Sequence, residues 1–108
     1  MDDTLLKERV IEALKTVYDP ELPVNLYDMG LFYKIDFGNS SSSGRACLIT
    51  MTLTSAGCPV SDFLVERVYA VLSTLEGIDE VYVELTFEPP WDPSMMSEEA
   101  QLETGMMA

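Results

Sequence analysis

Cys58 stands in the segment Thr54-Ser55-Ala56-Gly57-Cys58-Pro59, between a stretch that reads as a strand and one that reads as a helix. Proline suits the first helical turn, because its missing N–H would have no helical partner there. Cys58 is thereby placed at or beside a helix N-cap, where unpaired N–H groups and the positive dipole end favour an anion. A thiolate is such an anion. Thiols in this setting have lowered pKa values, and the thiolate is the form that attacks electrophiles or binds metal. The competing reading is a small side chain that fits a tight turn.

The chain has no histidine. This removes the commonest general base, the usual Ser/His and Cys/His nucleophile pairs and most transition-metal sites. No paired-cysteine motif for structural zinc and no Gly-rich phosphate loop is present, so hydrolase and nucleotide-dependent chemistry is not expected. Asp19, Glu21 and Asp28 offer hard oxygen donors beside a soft Cys58 thiolate. One cysteine with carboxylates is a poor stable site for zinc or for an iron–sulfur cluster, which usually takes four thiolates. It suits a labile cluster shared with a second chain or a client. The acids have a structural reading too: Asp before Pro starts turns, and Asp28 can cap one. Trp91, between prolines and Asp92, reads as a lid on the core edge or as a partner anchor. Met95 and Met96, with Met106 and Met107 in an acidic tail, read as an adaptable contact surface or as a frayed terminus.

These groups need elements to hold them. Residues 4–18 carry Leu6, Val10, Leu14, Val17 and Tyr18 at helical spacing, with Asp3 or Thr4 as the cap. Pro20 and Pro23 end that helix. In the next strand Leu31, Tyr33, Ile35 and Phe37 alternate with Phe32, Lys34 and Asp36. A polar loop over 38–44 leads to a returning antiparallel strand over 46–53. Cys47 shares parity there with Ile49, Met51 and Leu53, which predicts a buried small hydrophobe and not a disulfide partner for Cys58. Val60, Leu64, Val68, Val71, Leu72 and Leu75 form a second helical stripe, with Gly77 as its C-terminal cap. Val81, Val83, Leu85 and Phe87 then alternate as a half-buried strand. Pro89-Pro90-Trp91-Asp92-Pro93 cannot extend it, and 97–103 reads as a short capped acidic helix.

The expected fold is α+β: a two-layer domain in the order helix–strand–strand–helix–strand, with a small mixed sheet and a short C-terminal helix. Residues 1–88 form the core and 89–108 a Pro/Trp segment and acidic Met-rich tail of the same domain. The Asp19–Pro23, Cys58 and Pro89–Trp91 segments are expected to meet at one end of the sheet.

With 108 residues and 47% hydrophobic content, the chain suits one globular domain. A net charge of −13, from 19 acidic against 6 basic residues, argues against nucleic acid; acidity of this degree mainly aids solubility, and it can also steer a basic partner protein or a cation. No apolar run reaches the roughly 20 residues of a membrane span. The acidic start Met1-Asp2-Asp3 lacks the basic region of a signal peptide, so a cytoplasmic location with free thiols is expected.

Three ordered segments resemble one family. They are Tyr18-Asp19-Pro20-Glu21-Leu22-Pro23-Val24-Asn25-Leu26-Tyr27-Asp28-Met29-Gly30-Leu31; Met51-Thr52-Leu53-Thr54 with Gly57-Cys58-Pro59; and Phe87-Glu88-Pro89-Pro90-Trp91 followed by Met96-Ser97-Glu98-Glu99-Ala100. Together they look like the SufT-like, PaaD-like domain associated with iron–sulfur protein maturation, to which the eukaryotic cytosolic iron–sulfur targeting factor is related. The resemblance spans about residues 4 to 106.

It implies a non-catalytic accessory factor working with the SUF machinery and client apoproteins. Cys58 would be the reactive thiol or transient metal ligand, supported by Asp19, Glu21, Asp28 and Thr54, with Trp91, Met95 and Met96 contacting partners. No cofactor is expected to be stably bound, only a labile iron or iron–sulfur cluster. Relatives often dimerise, which makes a homodimer the implied assembly. Some relatives carry a histidine just before the cysteine, where this chain has Gly57, and that departure weighs against a stable metal site. The alternative function is a metal-free adaptor docking clients through its acidic surface and C-terminal tail.

Overall fold

The computed structural model describes residues 3–18, 24–40, 44–53 and 61–105, with backbone only for 61 and 62. The order is α1 (Asp3–Leu14), β1 (Phe32–Asn39), β2 (Arg45–Met51), α2 (Ser61–Ser73), β3 (Ile78–Leu85), a 3-10 turn (Pro93–Met95) and α3 (Glu98–Thr104). The strands form one sheet in the order β1-β2-β3, with β1 antiparallel and β3 parallel to the central β2. This is the expected α+β layer with its mixed sheet and short last helix.

Packing follows from the two periodicities. Leu6, Val10 and Leu14 lie four residues apart on α1 and are buried, as are Leu64, Val68 and Leu72 on α2. Cys47, Ile49 and Met51 point from β2 into the same continuous apolar cluster, while Leu48 between them is 42% exposed. Burial of a leucine-sized side chain is worth about 1.5–3 kcal/mol relative to exposure. These three rows therefore supply much of the force that closes helices onto sheet.

The first helix is shorter than its apolar pattern. After Leu14 the chain tightens: Val17 N–H donates to the Leu14 carbonyl at 3.2 Å, and the Thr16 hydroxyl to the Ala13 carbonyl at 2.6 Å. Leu26 N–H then donates to the Val17 carbonyl at 2.8 Å, and Tyr18 bridges Asn25. This extended pairing takes the backbone groups that another helical turn would need. It leaves Val17 buried and Tyr18 58% exposed, not on the core stripe.

β1 differs by one register step. Pairing shifts between Phe32 and Lys34, so Phe32, Ile35 and Phe37 pack against the core. An extra residue in one strand reverses the faces beyond it. Tyr33 thereby leaves the expected apolar face; its hydroxyl donates to the Pro89 carbonyl at 2.7 Å. Gly77, expected as the α2 cap, lies four residues beyond Ser73 at φ 94. There it makes the turn into β3, and its carbonyl accepts from Arg45 N–H at 3.1 Å. Phe87 falls outside β3. Ser97 caps α3 by accepting from Ala100 N–H at 3.2 Å, and Gly105 ends that helix at φ 73.

Candidate functional site

The segment holding Cys58 joins the end of β2 to the start of α2. Cys58, Thr54, Asp19 and Glu21, and the meeting of their two turns with Pro89–Trp91, lie outside the described residues. Their described flanks are nonetheless tied to one end of the sheet. Thr52 N–H donates to the Leu31 carbonyl at 2.8 Å, joining the exit of β2 to the entry of β1. Thr86 N–H donates to the Met51 carbonyl at 2.9 Å, which keeps the exit of β3 alongside. Both parallel strands thus end here, the edge at which open α/β sheets commonly place ligand-binding loops.

The turn after residue 23 is built by its own side chains. Asn25 Oδ1 accepts from Asp28 N–H at 2.9 Å, and Asn25 Nδ2 donates to the Asp28 carboxylate at 2.9 Å. Asp28 is therefore a turn-forming residue, an Asx arrangement readable from the Asn25-x-x-Asp28 spacing. Its carboxylate, with Tyr18, Glu99 and Glu103, also lines a polar cleft between this turn and α3. Among the described residues no three Cys, Asp or Glu side chains converge as a metal site.

A strap over 89–97 closes this end. The Trp91 indole N–H donates to the Met29 carbonyl at 2.7 Å, and Ser97 N–H donates to the Asp28 carbonyl at 2.8 Å. Gly30, at φ 77, sits so close to the Met95 carbonyl that a Cβ there would overlap it. The left-handed backbone and the close approach both require glycine. The Tyr33 hydroxyl lies 3.6 Å from the Met95 sulfur.

The expected contact residues separate on this frame. Trp91 is half-buried and packs on the core through its ring. Met95 is 36% exposed, whereas Met96 is only 4% exposed and belongs to the core. Its neighbour Ser97 is pinned to Asp28, which turns the Met96 side chain inward. Met96 is thus corrected from a surface contact to a core residue. Tyr33, which holds the strap through Pro89, was not visible in the sequence pattern, since its alternation placed it on the buried face.

Cys47 is fully buried, and that burial pushes its thiol from the ordinary 9.0 up to about 11. It is an inert hydrophobe, as its strand parity predicts.

The profile of the iron–sulfur cluster assembly protein family matches residues 7–85. The chain belongs to this family. Within it, a Porphyromonas gingivalis protein named "Fe-S protein maturation auxiliary factor" is 46% identical over 101 residues, covering 94% of this chain and 92% of that one. Staphylococcus aureus "Fe-S protein maturation auxiliary factor SufT" is 34% identical over 83% of this chain and 98% of its own length. The solved structure of a domain of unknown function (DUF59) from Bacillus anthracis superposes with a TM-score of 0.85 at 32% identity, covering 96% and 95% of the two chains. The SufT-like resemblance carried by the three sequence segments is therefore a family relationship, and its α+β layer is the family's fold.

Proposed function

We propose that this chain is a non-catalytic accessory factor in iron–sulfur protein maturation, in which Cys58 offers a transient thiolate to iron or to a cluster in passage. The observation that carries the reading is the near full-length similarity to proteins named as Fe–S maturation auxiliary factors. A second argument concerns the thiols. The chain has two cysteines, and Cys47 is buried with its thiol pushed up to about 11. That leaves Cys58 as the one cysteine suited to react, at a strand-to-helix junction where a thiolate is favoured.

One thiolate is too few to retain a cluster, so the metal is cargo shared with a client or a second copy, not a resident cofactor. Asp19, Glu21, Asp28 and Thr54 would orient the thiolate or the iron. Working beside the SUF machinery and client apoproteins in the cytoplasm fits this role. No helix among the described residues is long and apolar enough to cross a membrane.

Anaerobic reconstitution with iron and sulfide tests the reading, comparing wild type with Cys58→Ser by visible absorption and metal content. A chromophore formed by the wild type and absent from the variant supports it. Equal behaviour of the two proteins, together with undiminished maturation of cluster enzymes in cells carrying Cys58→Ser, overturns the thiol role. The metal-free adaptor is the second reading, favoured by the exposed Met95 and Leu102 on the strap and α3. It expects truncation after Glu88 to abolish client capture while Cys58→Ser leaves capture intact.

A further inference from the structure

β3 is an edge strand, and among the described residues it pairs only with β2. Its register is regular from Glu80 to Leu85, after one irregularity near Asp79. Such a strand presents a row of main-chain donors and acceptors to any extended segment laid beside it. The opposite edge is different: β1 has a register break between Phe32 and Lys34, a Lys34–Asp36 ion pair at 3.5 Å and the strap bonded to Tyr33. Breaks and lysines of this kind are devices that discourage added strands.

Beside the β3 edge runs a shallow groove lined by Val65 and Glu66 of α2 and Val83 and Leu85 of β3. The lining is apolar apart from one carboxylate and contains no cation. On the other face of the same strand Tyr82 is 55% exposed beside Glu80 and Glu84. β3 carries Asp79, Glu80 and Glu84 and no lysine or arginine.

From these features we infer that the β3 edge and its groove form a docking site for an extended segment of a partner protein with alternating apolar and basic side chains. Main-chain pairing with Glu80–Leu85 would supply affinity, and side-chain period would supply selectivity. Apolar residues of the incoming strand enter the Val65–Val83–Leu85 groove, and a lysine or arginine on the opposite face meets Glu84, beside Glu80, whose carboxylate already accepts from the Tyr82 hydroxyl at 3.0 Å. Glu66 receives a flanking cation. A second copy of this chain fits poorly: antiparallel self-pairing centred on Tyr82 sets Glu80 against Glu84 on both sides, and like charges directly opposite destabilise a strand pair. The net charge of −13 adds to that repulsion. This inference does not depend on the role of Cys58.

The probe is a capped peptide of about seven residues alternating valine and lysine, titrated into isotopically labelled full-length protein. Amide shifts are expected along Glu80–Leu85 and at Val65 and Glu66. Glu84→Lys is expected to weaken binding by about ten-fold, Glu8→Lys on α1 to change it little, and backbone N-methylation of the peptide to abolish it. Equal binding of the methylated peptide, equal loss with Glu8→Lys, or shifts centred away from β3 would show generic charge attraction and overturn the proposal. No binding at millimolar peptide would overturn it as well. So would a protein that self-associates through β3, detected as a dimer in sedimentation that Glu84→Lys alters.

Discussion

The indole N–H of Trp91 donates to the main-chain carbonyl of Met29 across 2.7 Å and 62 residues of sequence. It joins the strap after β3 to the turn before β1. Next to it, Gly30 leaves room for the Met95 carbonyl, and Ser97 N–H takes the Asp28 carbonyl. Three consecutive residues of one turn thus hold one strap, at the end of the sheet where the Cys58 segment leaves β2.

Replacing Trp91 with phenylalanine keeps an aromatic ring on the core but leaves the Met29 carbonyl without its donor. A loss of about 1–2 kcal/mol is expected in urea unfolding. Because Trp91 is the chain's only tryptophan, its fluorescence reports directly on strap docking in the wild type.

Gly30→Ala should be more damaging. An L-residue at φ 77 costs about 1–2 kcal/mol, and the new methyl group overlaps the Met95 carbonyl. The combined loss should exceed about 2 kcal/mol. Trp91 emission should also shift to the red in the native state, as the strap lifts from the turn. An unchanged emission maximum would mean the strap is held without Gly30.

Ser97→Ala removes the N-cap of a seven-residue helix whose first turn also carries Glu98 and Glu99. About 1 kcal/mol should be lost. Hydrogen exchange should quicken in α3 while β2 amides keep their protection.

Cys47 makes stability depend on alkaline pH. Its folded-state pKa of about 11 lies above the ordinary 9.0, so the folded state holds the proton that the unfolded chain releases. The contribution is complete below pH 9 and is lost as pH rises toward 11, at a total of about 2–3 kcal/mol. The stability gap between wild type and Cys47→Ala should shrink by that amount over this interval. A constant gap would show that the thiol is not buried in the native state.

Much of this protein is written in local pattern. The four-residue spacing of Leu64, Val68 and Leu72 and the alternation of Cys47, Ile49 and Met51 define which faces are buried, because side-chain direction is fixed by backbone period. The cap at Ser97 and the stop at Gly105 are local as well, each needing only its own turn. The family segments around Asp19, Cys58 and Trp91 are likewise legible residue by residue, and they carry the functional reading.

Other features depend on partners distant in sequence. Tyr33 has the parity of a core residue, yet the register break beside it sends its hydroxyl to Pro89. Tyr18 continues the apolar stripe of α1, yet pairing of 17–18 with 25–26 ends that helix first. Met96 has the look of an adaptable surface residue until Ser97 is fixed to Asp28. The element order, the core rows and the family are legible in the residues alone, since each rests on periodicity or on a contiguous motif. Where the strap lies, which methionine it buries and which strand edge is left unpaired among the described residues emerge only once the segments pack together. Those outcomes depend on single hydrogen bonds and close contacts between segments tens of residues apart, and no local pattern encodes them.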